Sequence, residues 1–409
     1  MSTDARQPIR VCCVIGALTT GGSERQMLGI LQQLDRRRFE PHLFTFYRDS
    51  PLVDQVPTDV PHYCFERQHG PLKQGWVPGR IQRTLARSLA KYCAQHQINV
   101  VYDRTFHVSL VTGAACRQSH LPYVNTVVEN PAIGFYSTAG WLGRVKYYQL
   151  RAIYRRAAKV LCVSQGLVQG TASFFQLPES TFTCCSNFVD AKRLTTIDAV
   201  AEKRFNLWHT VEGGHARTSL GHADRPLQMV AVGRLHWQKG LDVLLQAMAQ
   251  ARQDHGLISG LTLIGDGPEA GNLRALTRQL DLEAEVQFVG WQNEPATFVS
   301  EADLFVLPSL TEGLPNSLLE ALLIGTPAIA SDCRYGPSEL TDHGRWATLV
   351  PPKDPSALCQ AIRAFVADPV RAQQQAWSGR EILRQRFHPE LGCRRLEEQL
   401  TEATQKQLR

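Results

Sequence analysis

The sequence predicts an α/β protein of two doubly wound domains, each a parallel sheet covered by helices on both faces. Three observations predict it. Short apolar strands alternate with helical stretches along almost the whole chain. The alternation stops over residues 199–226, "AVAEKRFNLWHTVEGGHARTSLGHADRP", where Gly, His and charge replace the strand pattern, and then it restarts. The 409 residues suffice for two domains of ordinary size.

The first domain, residues 1–198, opens with the strand "IRVCCVIG". The loop "ALTTGG" follows, then a helix whose start reads as a capping box from Ser23 to Gln26. "PHLFTFY", "INVVYD", "LPYVNTVVE", "KVLCVSQG" and "TFTCCSNFVD" read as later strands with helices between them. Near-continuous apolar runs of this kind suit a parallel sheet buried on both faces. Residues 199–226 are read as a linker. The second domain, residues 227–380, repeats the pattern with "LQMVAVGR", "LTLIGDG", "VQFVG", "ADLFVLPS", "PAIAS" and "ATLVPP" as strands. Its first helices are "LDVLLQAMAQA" and "EAGNLRALTRQL". Within residues 381–409, "PELGCRRLEEQLTEATQKQLR" reads as a charged terminal helix. Two such halves are expected to face each other across a cleft, with ligands outside the carboxyl ends of the strands.

Composition narrows the function classes. With 43% hydrophobic and 20% charged residues, the chain is globular rather than disordered. No apolar run approaches the ~18 residues of a membrane span, and "MSTDARQPIR" lacks a signal-peptide core, so the expected location is the cytoplasm. The eleven cysteines form no C-x-x-C pair, which argues against zinc and for reduced, packed thiols. Residues 1–200 carry 23 Lys/Arg against 13 Asp/Glu, a net +10, whereas the whole chain is only +6. A basic front half attracts phosphates or an anionic membrane surface, although a solvated basic face has the same composition. Nothing points to nucleic acid.

The chemistry concentrates in "TEGLPNSLLEALLIGTPAIAS", residues 311–331. Pro315 suits the first turn of a helix that ends at Gly325. Glu312 then precedes the helix, and Glu320 lies about two turns inside it. Amides near Gly313, Leu314, Asn316 and Ser317 offer a site for an anion. Glu312 and Glu320 can accept from the hydroxyls of groups attached to that anion, such as ribose. A capped helix with a solvated glutamate fits the same spacing. "VGRLHWQKGLD" places Arg234 at a strand end and Lys239 before a helix, a fork of donors and a point charge suited to a diphosphate. Gly265, Asp266 and Gly267 make a tight turn through which backbone can approach a ligand. Gly290 and Trp291 end another strand, where a base could lie. Gly21 and Gly22 precede a helix without forming the dinucleotide fingerprint G-x-G-x-x-G. No D-x-D occurs to hold a metal diphosphate.

These motifs resemble those of glycosyltransferase family 4, the group 1 glycosyl transferases. "TEGLPNSLLEAL" is similar to the family's E-x(7)-E motif, and "VGRLHWQKGLDVLLQA" and "LIGDGPE" precede it in the expected order. "VSQGL", "SNFVD" and "TTGGSERQ" are similar to its N-terminal landmarks. The resemblance implies a GT-B fold of two Rossmann-like domains, with the nucleotide diphosphate sugar held by the second and the terminal helix packed back on the first. It implies that Arg234 and Lys239 bind the diphosphate, that Glu312 contacts the transferred sugar and Glu320 the ribose, and that the segment Gly313, Leu314, Pro315, Asn316, Ser317 supports both. It also implies retention of anomeric configuration without a metal or other cofactor. A leaving phosphate oxygen can then take the acceptor proton.

On the acceptor side the sequence departs from the family. Many members carry a histidine where Arg104 stands, and the nearby His107 is read as packed or surface rather than catalytic. Glu129, in "NTVVENPAI", resembles an acid–Asn–Pro variant of surface-polysaccharide transferases. The stretch "GWLGRVKYYQLRAIYRRAAKV" mixes Trp141, Tyr147 and Tyr148 with Arg144, Lys146, Arg151, Arg155, Arg156 and Lys159. That mixture suits peripheral contact with the inner membrane face and a lipid-linked saccharide acceptor, and equally a half-exposed helix of a soluble domain. The alternatives are a nucleotide-sugar binding protein without turnover and a GT-B-fold epimerase.

Overall fold

The computed structural model describes residues 7–19, 21–48, 50–72, 79–133, 135, 142–210, 226–255, 257 and 259–406. The chain divides into two compact units, Met1–Asp190 with Phe387–Arg409, and Ala191–Arg386.

Unit 1 runs β1 Ile9–Ile15, α1 Gly22–Gln33, β2 Phe39–Thr45, β3 His62–Cys64, α2 Phe65–His69, α3 Arg80–Gln95, β4 Val100–Arg104, α4 Phe106–Ser119, β5 Tyr123–Val127, α5 Gly143–Arg156, β6 Lys159–Cys162, α6 Gln165–Phe175 and β7 Phe182–Cys184. All pairs are parallel, in the order β3-β2-β1-β4-β5-β6-β7. Side chains of a strand alternate between the faces of its sheet. In β1, Val11, Cys13 and Ile15 enter one core, and Cys12 and Val14 enter the other. Both sets are apolar, and for that reason the strand reads as an unbroken hydrophobic run.

Unit 2 runs α7 Ala191–Thr210, β8 Leu227–Val232, a 3₁₀ turn Trp237–Lys239, α8 Leu241–His255, β9 Ser259–Ile264, α9 Ala270–Gln279, β10 Val286–Gly290, α10 Ala296–Glu301, β11 Leu304–Leu307, α11 Asn316–Ile324, β12 Ala328–Ser331, α12 Pro337–Leu340, β13 Thr348–Val350, α13 Pro355–Ala367 and α14 Pro369–Arg386. Its parallel order is β10-β9-β8-β11-β12-β13. In each sheet the strand order reverses once, between β1 and β4 and between β8 and β11. Loops leave such a switch point in opposite directions and open a crevice at the strands' carboxyl ends.

The chain returns to unit 1 with α15, Pro389–Lys406. Cys393, Leu396, Leu400 and Ala403 recur at helical spacing and enter the same core as Phe39, Tyr102 and Phe188. Each buried leucine contributes roughly 1.5–3 kcal/mol. Glu397 accepts from the Asp35 backbone N–H and from Arg38 Nη1, both at 2.9 Å, and Lys159 Nζ meets Glu402 at 2.6 Å. At Gly392 a Cβ would come within 2.4 Å of Phe188 Cβ, so the helix can approach this closely only with glycine there.

Several expectations are corrected. Residues 199–210 are not linker but the latter part of α7, and residues 211–225 lie outside the described residues. Leu194, Ile197, Ala201 and Arg204 form a buried stripe on α7 that joins it to unit 2. Arg204 Nη1 donates to the carbonyls of Ser300 and Ala302, and Asp198 receives Arg380 and Arg384. The first boundary therefore falls after Asp190, and residues 381–386 complete α14 in unit 2. The Ser23–Gln26 capping box does not form: α1 begins at Gly22 with Gly21 as its cap. Gln26 is buried and exchanges hydrogen bonds with the backbone of Phe188, so it cannot reach back to the helix start. Strand β3 was not anticipated, because three residues carry too little periodicity. All eleven cysteines are free thiols, nine of them buried.

Candidate active site

The strongest constellation sits at the unit 2 switch point. Strand β8 ends at Val232, and the chain passes through Gly233 and Arg234 into the turn Trp237–Lys239. Gly240 closes that turn with φ +58°, and a Cβ there would lie 2.2 Å from the carbonyl oxygen of Pro308. The loop after β8 thus abuts the loop after β11, and the Leu310 N–H donates to the Gln238 carbonyl at 2.8 Å. This contact brings together two residues 73 positions apart. Lys239 Nζ lies 2.6 Å from Glu312 Oε1, which also accepts from Ser309 Oγ at 2.7 Å. The Glu312 side chain is 9% exposed and that of Lys239 26%. Burial, reinforced by the Glu312 charge, pushes the neighbouring Cys333 thiol up to about 12 and keeps it neutral. Gly233, Lys239, Ile264, Leu307, Pro308 and Ser309 line a recess at these strand ends.

Arg234 is exposed; its carbonyl accepts from the His236 N–H at 2.8 Å, and its guanidinium has no hydrogen-bond or ion-pair partner among the described residues. The adjacent His236 is held below the usual histidine range, first by burial and then by the Arg234 charge. Strand β9 delivers Gly265, Asp266 and Gly267 beside this loop. Gly265 has φ +139°, and a Cβ on it would lie 1.9 Å from the Gly233 carbonyl oxygen. The Leu235 N–H donates to the Asp266 carbonyl at 3.0 Å, and the Gly267 N–H to Asp266 Oδ1 at 2.7 Å. Gly290, at φ +73°, ends β10 and accepts from the Gly265 N–H at 2.8 Å. The glycines therefore let neighbouring backbone pack closely against the loop that carries Arg234.

Pro315 occupies the cap position of α11 rather than its first turn, and Glu320 is the helix's fifth residue, just over one turn from Asn316. Gly313, Leu314 and Pro315 are buried, and Asn316 and Ser317 form the helix start, where N–H groups lack intrahelical partners. Glu320 is not solvated. Its Oε2 accepts from Arg193 Nη2 at 2.6 Å, with side chains 16% and 12% exposed. Arg193, Ser309 and Cys333 were not foreseen, and only the spacing of Ser309 to Glu312 could have raised one of them.

In unit 1 the expected residues also gather at strand ends. Gly21 and Gly22 are exposed at the start of α1. Arg104 ends β4 with 3% exposure, donating to Tyr102 Oη at 3.1 Å and Asn187 Oδ1 at 2.7 Å, and no carboxylate among the described residues pairs with it. Thr105 follows at φ +78°, an unfavourable conformation for a β-branched residue. His107 is exposed and stands 3.4 Å from Tyr47 Oη. Glu129 is half-buried beyond β5, and Asn130 beside it folds the turn through the Ala132 N–H. On the opposite face of β4, Asp103 is enclosed by Ser109, Thr112 and Asn125, and burial raises its pKa to about 6. Trp141 lies outside the described residues.

Two doubly wound units, with a cation–carboxylate pair and an exposed arginine side chain at the switch point of the second, define the fold class and the place of the candidate site. Comparison with known proteins identifies the family. Residues 226–368 match the model of "Glycosyl transferases group 1", and residues 20–193 match that of "Glycosyltransferase Family 4". The chain belongs to glycosyltransferase family 4. Among curated relatives, it is 36% identical over 172 residues to the lipopolysaccharide core biosynthesis glycosyltransferase LpsD of Rhizobium meliloti, covering 42% of this chain and 48% of LpsD. The chain thus spans about half the length of that relative. It is 27% identical to LpsE of the same organism over 76% of this chain and 85% of LpsE. Among solved structures, HepE of Anabaena in complex with UDP and glucose superposes with TM-score 0.75 at 20% identity, over 96% of this chain and 99% of HepE. This likeness establishes the GT-B fold.

Proposed function

We propose that the chain is a retaining glycosyltransferase that moves a sugar from a nucleotide diphosphate sugar to a saccharide or lipid-linked saccharide, in the synthesis of a surface polysaccharide or glycolipid. The observation that carries this reading is the placement of Lys239, Glu312 and Arg234 at one switch point. Breaking the bond from the anomeric carbon to the diphosphate gathers negative charge on the leaving group. Arg234, Lys239 and the start of α11 are preorganised to stabilise that charge, and losing one such donor costs ~10²–10³-fold in rate. Glu312 accepts from the sugar's hydroxyls and Glu320 from the ribose. The acceptor oxygen bonds to the anomeric carbon on the face the leaving group departs from, and its proton passes to a phosphate oxygen. No metal enters this scheme. Unit 1 supplies the acceptor side through Gly21, Gly22, Arg104 and Glu129.

The names of LpsD and LpsE support polysaccharide synthesis, and the UDP and glucose bound to HepE support a nucleotide sugar donor. A thermal-shift panel of nucleotide sugars tests the reading: one nucleotide should stabilise the protein. Sugar released into water should keep the donor's anomeric configuration by NMR, and turnover should survive EDTA. Glu312→Ala should abolish transfer, and a fully active variant would remove the assignment. Stabilisation without turnover would favour a binding protein.

The membrane reading rests on α5, where Val145 is 52% and Tyr148 65% exposed beside the exposed Arg144, Arg155 and Arg156. Arg151 is instead engaged with the carbonyls of Phe175 and Gln176, and Tyr147 with that of Phe174. Co-sedimentation with liposomes should rise with anionic lipid and fall with salt. Indifference to lipid charge would count against it.

A further inference from the structure

Helix α11 buries Leu318, Leu319, Ala321, Leu322, Leu323 and Ile324, so Glu320 stands among apolar neighbours. A carboxylate left alone there is costly. The compensating charge comes from Arg193, in the first turn of α7, which packs against α11. The pairing is one-sided. Arginine can bind both carboxylate oxygens in parallel, yet here Nη2 holds only Oε2. Among the described residues Oε1 has no hydrogen-bond partner, and the side chain keeps 16% exposure. One oxygen is fixed and the other remains open to accept.

We propose that Arg193 is a positioning residue: it sets the direction of the Glu320 carboxylate so that Oε1 receives the vicinal hydroxyls of the nucleotide's ribose. This rests on the reading of Glu320 as the ribose contact. Arg193 itself touches no ligand. A brace that merely joined α7 to α11 would change stability without distinguishing one nucleotide from another. A positioning residue controls how well a 2′-hydroxyl is told from a hydrogen.

The experiment measures dissociation constants by calorimetry for UDP and 2′-deoxy-UDP, or GDP and 2′-deoxy-GDP if GDP is the nucleotide that stabilises the protein. A hydroxyl donating to a charged acceptor makes the wild type prefer the ribonucleotide by ~10–100-fold. In Arg193→Gln the preference should fall to about 1–3-fold. Arg193→Lys keeps a buried positive charge, and with it the fold, but a point charge does not orient a carboxylate as the guanidinium fork does. Its preference should fall at least ~3-fold below wild type, so it decides the matter if the glutamine variant does not fold. Either folded variant retaining the wild-type preference overturns the role of Arg193. A wild type with no preference, or Glu320→Gln with the full one, overturns the ribose reading itself and the inference with it.

Discussion

Replacing Lys239 with methionine separates two consequences of one contact. The pair Lys239–Glu312 is 2.6 Å long, and Glu312 is 9% exposed. At an effective dielectric of ~20 the gross attraction is roughly 6 kcal/mol, most of it offset by desolvation. Removing the lysine leaves Glu312 with the Ser309 hydroxyl alone. A fully buried orphan charge costs about 3–5 kcal/mol, and the 26% exposure of Lys239 reduces this to about 2–3 kcal/mol. For a unit of this size, Tm falls ~2–4 °C per kcal/mol, so a drop of about 5–10 °C is expected. In the double variant Lys239→Met/Glu312→Gln, where no charge is stranded, about half of the loss should return. Sugar transfer should be down at least ~100-fold in the single and double variants alike. Urea unfolding measures stability, and donor turnover measures activity. Strictly additive stabilities in the double-mutant cycle would refute the pairing as an energetic unit. Activity recovering together with stability would refute the functional role.

The glycine turns make a second prediction. Gly265→Ala must move the Gly233 carbonyl and adopt φ +139°, costing about 3 kcal/mol and weakening donor binding, because the displaced backbone leads to Arg234. Gly271→Ala, in α9 with open space around it, should instead stabilise by ~0.4–1 kcal/mol; equal effects in chemical denaturation would refute the distinction. Asp103 gives a third. Its pKa of about 6 in the fold lies above the ordinary ~3.8, so the folded state binds the proton more tightly. Its contribution is fully present below pH ~4 and is lost as pH rises through ~6, a decline of roughly 3 kcal/mol. Asp103→Asn should flatten that part of the stability–pH profile, and an unchanged slope would contradict it.

Much of the architecture was legible in the sequence because strands buried on both faces must be apolar throughout. β1 and β8 are conspicuous for that reason, whereas β3 exposes too short a signal. Strand-end residues such as Arg234, Gly265 and Glu312 were legible too, since polar groups and glycines interrupt an otherwise regular alternation. Helix α7 was misread as linker from residue 199 because its buried stripe includes Arg204, whose head is satisfied by carbonyls far along the chain. The Ser23–Gln26 pattern was locally sound, yet Gln26 gained more from Phe188, 162 residues away.

The sequence by itself determined two β/α domains and a string of polar and glycine residues at the strand ends of the second, since hydrophobic period, turn chemistry and motif spacing are local properties. Only the tertiary structure decided which charges meet. Lys239 with Glu312, and Arg193 with Glu320, are joined by the approach of two loops and two helices. Whether a charge near the core is paired, open or half-engaged depends on atoms a few ångströms away, and separation along the chain carries no record of that distance.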